Sequence, residues 1–148
     1  MKILMADNDT DDRLLASIAF KKLNMAHSLD FVTDGQELMD YLYARLKNKR
    51  PLPDLVILDL NMPKKDGRVA LQEIKSNEQL KHLDVIIFST STYERDMNYT
   101  LGLGAKSYIV KPTDYNELIE VFRAMCDGLV EKPGWQYSIQ HQHRAEAH

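Results

Sequence analysis

The stretch KILMADNDTDDRLL, residues 2–15, changes character twice along its length. Ile3–Ala6 is continuously apolar, which is typical of a strand that is buried on both faces. Four aspartates follow within six positions, and apolar residues at helical spacing resume at Leu14 and continue to Ile18. A buried strand that leads directly into a helix is the repeating unit of a parallel sheet covered by helices. This stretch therefore predicts an α/β fold.

The same unit recurs along the chain. Four more apolar runs, each followed by a helical pattern, lie at Leu29–Val32, Leu55–Leu58, Val85–Phe88 and Tyr108–Val110. Right-handed crossovers between parallel strands place helices on both faces, so five such units predict a doubly wound five-stranded parallel sheet. The run at Leu29–Val32 alternates more in polarity than the others, and we expect it at an edge of the sheet.

Composition limits the classes of function. The chain has 148 residues, of which 44% are hydrophobic, enough for one domain with a core. Its net charge of −3 argues against a protein whose main role is to bind nucleic acid. The one cysteine, Cys126, favours a reducing compartment, and no stretch resembles a signal peptide or a membrane span. We expect a cytoplasmic protein that binds neither nucleic acid nor membranes.

Four polar side chains stand where predicted strands end. Asp7, Asp59, Ser89 and Lys111 follow or close the first, third, fourth and fifth apolar runs. In open parallel sheets ligands bind beyond the carboxyl ends of the strands, so these side chains should converge. Two facing carboxylates need a cation between them, and oxygen ligands of this kind suit Mg²⁺. With a lysine and a hydroxyl to hold phosphoryl oxygens, the set predicts phosphoryl transfer onto an aspartate.

The motifs at these positions match a known family. They are ADND (residues 6–9), DLNMPKKDG (59–67), FST (88–90) and YIVKP (108–112). The chain resembles the receiver domain of bacterial two-component response regulators, and in particular small stand-alone regulators associated with phytochromes. The spacing from Asp59 to Ser89 and on to Lys111 is that of typical receivers. The resemblance implies a flavodoxin-like sheet in the order 2-1-3-4-5.

The resemblance also implies roles in phosphoryl transfer. Asp59 would be the phosphoacceptor, and Lys111 would pair with the phosphoryl group. Ser89 would bond a phosphoryl oxygen, and Tyr108 would be the aromatic switch residue whose rotamer follows Ser89. In the family the lysine–proline bond is cis, so the resemblance implies a cis bond between Lys111 and Pro112.

The metal site departs from the family at one position. The resemblance implies Mg²⁺ ligands at Asp7, Asn8, Asp59 and the backbone carbonyl of Asn61. Most receivers carry two adjacent acids after the first strand, whereas this chain has Asp7 followed by Asn8. An amide lacks the charge of a carboxylate, so we expect Mg²⁺ binding weaker by about 1 kcal/mol. Asp9 could compensate in part if the turn aims it at the ion.

The other acids of the first stretch allow interpretations that do not involve a receiver site. Asp11 and Asp12 fall in the first turn of the predicted helix, where acids interact favourably with the helix dipole. DNDTDD also imitates the start of an EF-hand calcium loop, but Asp12 stands where that loop requires glycine. A haloacid dehalogenase-type phosphatase would need threonine or valine where the chain has Asp11. Both alternatives are therefore weak.

The interpretation is a phosphorylation-dependent switch of a two-component phosphorelay. A sensor histidine kinase or a phosphotransfer protein would donate the phosphoryl group, and the receiver would catalyse its own phosphorylation and dephosphorylation rather than act as an enzyme on a separate substrate. We expect a receiver domain over residues 1–131 and a tail without an output domain over residues 132–148. Trp135 and Tyr137 would anchor that tail on this domain or on a second copy of the chain, and the second case would give a homodimer. The sequence does not identify the downstream protein. The alternative is an interaction module that ignores phosphorylation, which Asn8 alone favours.

Overall fold

The computed structural model describes residues 1–23, 28–127 and 136–137 of the chain. Strands and helices alternate through most of this range. The strands are β1 (Lys2–Ala6), β2 (Ser28–Val32), β3 (Leu55–Leu58), β4 (Asp84–Ser89), β5 (Ser107–Val110) and β6 (Gln136–Tyr137). The helices are α1 (Thr10–Lys22), α2 (Gly35–Lys47), α3 (Gly67–Ser76), α4 (Glu94–Leu103) and α5 (Tyr115–Cys126).

The strands form one sheet in the order β2-β1-β3-β4-β5-β6. The first five strands are parallel, with Ile3 of β1 opposite Leu29 of β2 and Leu55 of β3. The predicted parallel sheet in the order 2-1-3-4-5 is therefore confirmed, and β2 lies at an edge as expected. β3 and β4 are buried throughout or nearly so, in agreement with their continuous apolar runs.

A sixth strand, which the apolar pattern did not predict, covers the other edge. β6 runs antiparallel to β5, and its backbone places Tyr137 opposite Tyr108 and Gln136 opposite Ile109. Two residues are too few for a periodic pattern to be visible in sequence. The expected tail anchor at Tyr137 thus lies in a strand on this domain, whereas Trp135 lies outside the described residues.

Two apolar layers hold the helices on the sheet. One contains side chains of α2, α3 and α4, among them Leu42, Ile74 and Met97, and the other contains side chains of α1 and α5. In the second layer the ring of Phe122 lies 5.1 Å from that of Phe20 and 5.5 Å from that of Phe88, measured between centroids. Both layers leave the carboxyl edge of the sheet open.

Aspartate side chains begin four of the five helices. Each accepts a hydrogen bond from a backbone N–H of the first turn, which would otherwise lack a partner. The caps are Asp9 for α1, Asp34 for α2, Asp66 for α3 and Asp114 for α5. The caps fix where each helix leaves the loop at the carboxyl end of the preceding strand. Within the described residues, no helix is long and apolar enough to cross a membrane.

The peptide bond between Lys111 and Pro112 is trans, since no described peptide bond is cis. The expectation of a cis bond is therefore wrong for this structure. The trans form is the intrinsic preference of such bonds, by about 0.5–1 kcal/mol. With this bond trans, the amide of Lys111 donates to the carbonyl oxygen of Ser89, and its side chain still enters the cleft at the sheet edge.

Candidate functional site

A cleft of about 490 Å³ opens at the carboxyl ends of the central strands. Its wall combines the loop after β1, the first turn of α1, and the residues that follow β3, β4 and β5. The lining residues are Asn8, Asp9, Thr10, Asp11, Asp12, Asp59, Asn61, Thr90 and Lys111. The wall is mostly acidic or amide in character, which suits a cation and the oxygens of a phosphoryl group.

Lys111 ties three carboxylates together at the floor of this cleft. Its Nζ lies 2.9 Å from Asp7 Oδ2, 2.9 Å from Asp59 Oδ2 and 2.6 Å from Asp12 Oδ2. The lysine side chain is 10% exposed. Burial alone would lower the pKa of Lys111, but attraction to Asp59 and the other carboxylates raises that pKa above its usual value. The ammonium therefore stays charged, and it contacts all three carboxylates of the site.

Asp7 is held inside the protein at the end of β1. It is completely buried, and its Oδ1 accepts a hydrogen bond from the backbone N–H of Asp9 at 2.9 Å. Burial is the main cause that raises its pKa from 3.8 to about 6, and the charge of Lys111 opposes that rise. A carboxylate that is costly to ionise without a further positive charge is a fitting ligand for a metal ion.

Asp59 stands directly after β3, with 7% of its surface exposed. Its Oδ1 accepts a long hydrogen bond, 3.4 Å, from the amide of Asn61. The start of α3 approaches closely, because Gly67 donates its backbone N–H to the carbonyl of Leu60 at 2.9 Å. A methyl group at Gly67 would lie 2.1 Å from the carbonyl oxygen of Asp59, so only glycine fits there. One carboxylate oxygen of Asp59 bonds the lysine, and the cleft gives access to the residue.

The structure places the other predicted site residues with mixed results. Asn8 and Asn61 are exposed and line the cleft beside the carboxylates. Ser89 closes β4 but is fully buried, and its Oγ accepts a hydrogen bond from the amide of Ser91 at 3.3 Å. Among the described residues that line the cleft, Thr90 rather than Ser89 represents the end of β4.

Asp12 is a member of the site that sequence reasoning missed. It does occupy the first turn of α1, as expected, but its carboxylate also reaches Lys111. One carboxylate oxygen from each of Asp7, Asp12 and Asp59 lies within 4.8 Å of the other two. Asp9 does not join them, because its carboxylate caps α1 through the amides of Asp11 and Asp12. The helix dipole already accounts for an acid at this position in the first turn of α1, so no separate sequence signal marks the contact of Asp12 with Lys111.

A polar network behind the site was also missed. The hydroxyl of Tyr108, which is fully buried, donates to the carbonyl of Ser91 at 2.8 Å. The hydroxyl of Ser91 donates to Asp96 at 2.6 Å. Arg68 donates two hydrogen bonds to Asp96, at 2.8 and 2.9 Å, and further bonds to Asp66. The hydrogen bonds from Arg68 are the main cause that lowers the pKa of Asp96. The network joins the start of α3 to the loop between β4 and α4.

These residues fit a divalent cation. The donor set consists of carboxylate oxygens of Asp7 after β1, Asp59 after β3 and Asp12 in the first turn of α1. Carboxylates of this kind form the hard oxygen environment that Mg²⁺ and Mn²⁺ accept. With all three carboxylates ionised, the site has more negative charge than the ammonium of Lys111 can balance. A cation of charge two would remove that excess.

Comparison with known proteins decides the family. The family model for the response regulator receiver domain matches residues 3–123. The chain belongs to this family. The predicted resemblance is thereby confirmed, and the chain is a receiver domain of the two-component response regulators, consistent with phosphorylation-dependent signalling.

Similar proteins include small regulators. The chain is 33% identical over 124 residues to response regulator Rcp1 of Synechocystis, covering 83% of this chain and 84% of Rcp1. It is 32% identical over 135 residues to a probable methanogenesis regulatory protein, FilR2, of Methanothrix harundinacea, covering 89% of this chain and 87% of that protein.

Solved structures of response regulators have the same fold as this chain. The Mn²⁺-bound form of Rcp1 matches with a TM-score of 0.77 and 30% identity, covering 90% of this chain and 97% of that one. The phosphorylated cyanobacterial phytochrome response regulator RcpA matches with a TM-score of 0.78 and 32% identity, covering 90% and 96%.

Membership brings general properties of receivers. Receiver domains pair with histidine kinases or phosphotransfer proteins, accept a phosphoryl group and have autophosphatase activity. They bind Mg²⁺ or Mn²⁺ at an acidic pocket, and this chain has such a pocket where Asp7, Asp12 and Asp59 meet.

Proposed function

We propose that Asp59 is the phosphoacceptor of this receiver and that a phosphohistidine of a sensor kinase or a phosphotransfer protein is the donor. The observation that carries the proposal is the contact of Lys111 Nζ with Asp59 Oδ2 at 2.9 Å beside a cleft that opens at Asp59. A carboxylate next to a buried ammonium and an open space has the parts needed to attack phosphorus and to hold the product.

The chemical step is a displacement at phosphorus. A carboxylate oxygen of Asp59 forms the new bond to phosphorus while the bond from phosphorus to the histidine nitrogen breaks. The nitrogen keeps the electron pair of that bond, and the imidazole takes up a proton from solvent. Lys111 supports the negative charge that develops on the phosphoryl oxygens, because its ammonium is already aimed at Asp59. Water later attacks the phosphorus of the acyl phosphate, the bond from phosphorus to the Asp59 oxygen breaks, and inorganic phosphate leaves while Asp59 regains its carboxylate.

A divalent cation would be held by Asp7, Asp59, Asn8 and the backbone carbonyl of Asn61. When bound, Mg²⁺ would neutralise charge on the phosphoryl oxygens. Asp7 orients its carboxylate for this purpose through the hydrogen bond from the amide of Asp9. Asp59 shares its carboxylate between this role and the attack on phosphorus.

Phosphorylation would act on the loop that follows β4. The residues that could transmit it are Ser89, at the end of β4, and Tyr108, whose hydroxyl bonds the carbonyl of Ser91 in that loop. Tyr108 is fully buried. We infer that a phosphoryl group on Asp59 further stabilises this inward position by drawing Ser89 toward it, and so changes which protein the face formed by α4, β5 and α5 binds.

The proposal is tested by phosphorylation with acetyl phosphate and Mg²⁺, followed by a phosphate-affinity gel. The wild type is expected to give a retarded band. No retarded band should form if EDTA is added before acetyl phosphate. Asp59→Asn is expected to give no retarded band. Asp11→Asn removes an aspartate that does not contact Lys111, and it should keep the band. Retardation of Asp59→Asn to the same extent as the wild type would refute Asp59 as the acceptor.

A further inference from the structure

The Asp12 carboxylate has a position that helix capping does not explain. Asp9 already caps α1 by accepting from the amides of Asp11 and Asp12. The Asp12 side chain instead turns into the cleft, where it is 29% exposed and its Oδ2 lies 2.6 Å from Lys111 Nζ. This is the shortest of the three contacts that Lys111 makes with carboxylates. Asp11, its neighbour, also lines the cleft, but it is exposed and has no such contact with Lys111.

Asn8 brings no charge to the candidate cation site, at the position where most receivers carry a second acid directly after the first. It lines the same cleft but contributes an amide, which binds a divalent cation more weakly than a carboxylate does. One carboxylate oxygen from each of Asp12, Asp7 and Asp59 lies within 4.8 Å of the other two, so Asp12 brings a negative charge to the place where Asn8 brings none. A cation near all three would feel Asp12 at short range and in a partly buried setting, where charge interactions are strong.

We propose that Asp12 is the third anionic residue of the cation site and supplies the charge that Asn8 lacks. The inference rests on the proposed function, since it concerns the same site. Asp12 acts as a positioning residue in this role, both for the cation and for Lys111. A receiver with a neutral residue directly after Asp7 thereby keeps a full complement of negative charge, drawn from the first turn of α1 rather than from the loop before it.

The test measures binding of Mn²⁺ to the unphosphorylated protein by electron paramagnetic resonance, so that it does not depend on phosphorylation. Asp12→Asn is expected to weaken Mn²⁺ binding about ten-fold or more. Asp11→Asn is the matched control, because it removes the same charge from the adjacent residue, and it should weaken binding less than about three-fold at an ionic strength of about 0.15 M. Asp12→Ser is measured alongside, so the comparison remains available if one variant does not fold.

A compensating variant gives the sharper result. In the Asp12→Asn background, Asn8→Asp should return the affinity for Mn²⁺ to within about three-fold of the wild type, because it restores one negative charge to the lining of the same cleft. Equal losses in Asp12→Asn and Asp11→Asn, or no recovery with Asn8→Asp, would overturn the inference.

The same samples separate this inference from the proposed function. If the wild type binds Mn²⁺ and is phosphorylated on Asp59, but Asp12→Asn behaves like Asp11→Asn, only the role of Asp12 is refuted. If the wild type neither binds Mn²⁺ nor accepts a phosphoryl group, the proposed function fails, and the role of Asp12 fails with it.

Discussion

Replacing Asp7 by asparagine should make the metal-free protein more stable. Asp7 is completely buried beside two other carboxylates, and a single ammonium, that of Lys111, serves all three. An asparagine at this position can still accept the hydrogen bond from the amide of Asp9. The substitution removes a charge that burial disfavours, while Lys111 keeps Asp12 and Asp59 as partners.

The raised pKa of Asp7 gives the size and the pH dependence of the effect. Burial, as the main cause, raises this pKa from 3.8 to about 6. A difference of this size corresponds to about 3 kcal/mol of folding free energy lost once the carboxyl is ionised. Because the new amide is itself buried and loses the bond to Lys111, we expect a net gain of about 1–2 kcal/mol. When the pKa of an acid is higher in the folded state than in the unfolded state, its ionisation does not reduce the folding free energy at a pH below the unfolded-state pKa. The full reduction is present at a pH above the folded-state pKa. The gain should therefore be small near pH 4 and complete above about pH 6.

Urea unfolding in EDTA, followed by circular dichroism, measures this difference between pH 4 and 7.5. Added Mg²⁺ should stabilise the wild type and leave Asp7→Asn nearly unchanged, since a ligand stabilises only the state that binds it. A lower stability of Asp7→Asn than of the wild type at pH 7.5 in EDTA would contradict this expectation. The same difference in unfolding free energy at pH 4 and at pH 7.5 would contradict it as well.

Three further substitutions probe the surroundings of the site by urea unfolding. Arg68→Met leaves the buried carboxylate of Asp96 without its main partner and should lower the free energy of unfolding by about 2–3 kcal/mol at pH 7. The loss should be smaller at lower pH, where Asp96 takes up a proton, and a loss under about 0.5 kcal/mol at pH 7 would contradict this expectation. Tyr108→Phe removes the hydrogen bond to the carbonyl of Ser91 and should cost about 1 kcal/mol, so an equal or higher stability would count against that bond. Gly67→Ala places a methyl group 2.1 Å from a backbone oxygen and should cost at least about 2 kcal/mol, and a neutral result would show that α3 does not pack this closely.

The sheet could be predicted in large part from local sequence. The apolar runs from Ile3 and from Leu55 are buried parallel strands because both faces of the sheet are covered by helices. The strand order came from the family resemblance rather than from periodicity, since periodicity says nothing about which strands are neighbours. β6 has two residues and leaves no periodic signal, so only the three-dimensional structure shows that Gln136 and Tyr137 pair with β5.

The site could be predicted only where it is built from strand ends. Asp7, Asp59 and Lys111 each follow an apolar run, and the rule that such ends converge brought them together. Asp12 lies on a helix, where its charge already had an explanation in the helix dipole, so its contact with Lys111 across the fold left no separate signal. The pairing of Arg68 with Asp96 likewise joins two helices at a separation of 28 residues, which no local spacing rule covers.

The most direct test of the account locates the phosphoryl group on the chain. After reaction with acetyl phosphate and Mg²⁺, borohydride reduction converts an aspartyl phosphate to homoserine, and peptide mass spectrometry finds the converted residue. We expect homoserine at position 59 and at no other aspartate of the cleft. Homoserine at Asp7 or Asp12 instead, or at no position in a protein that binds Mn²⁺, would contradict it.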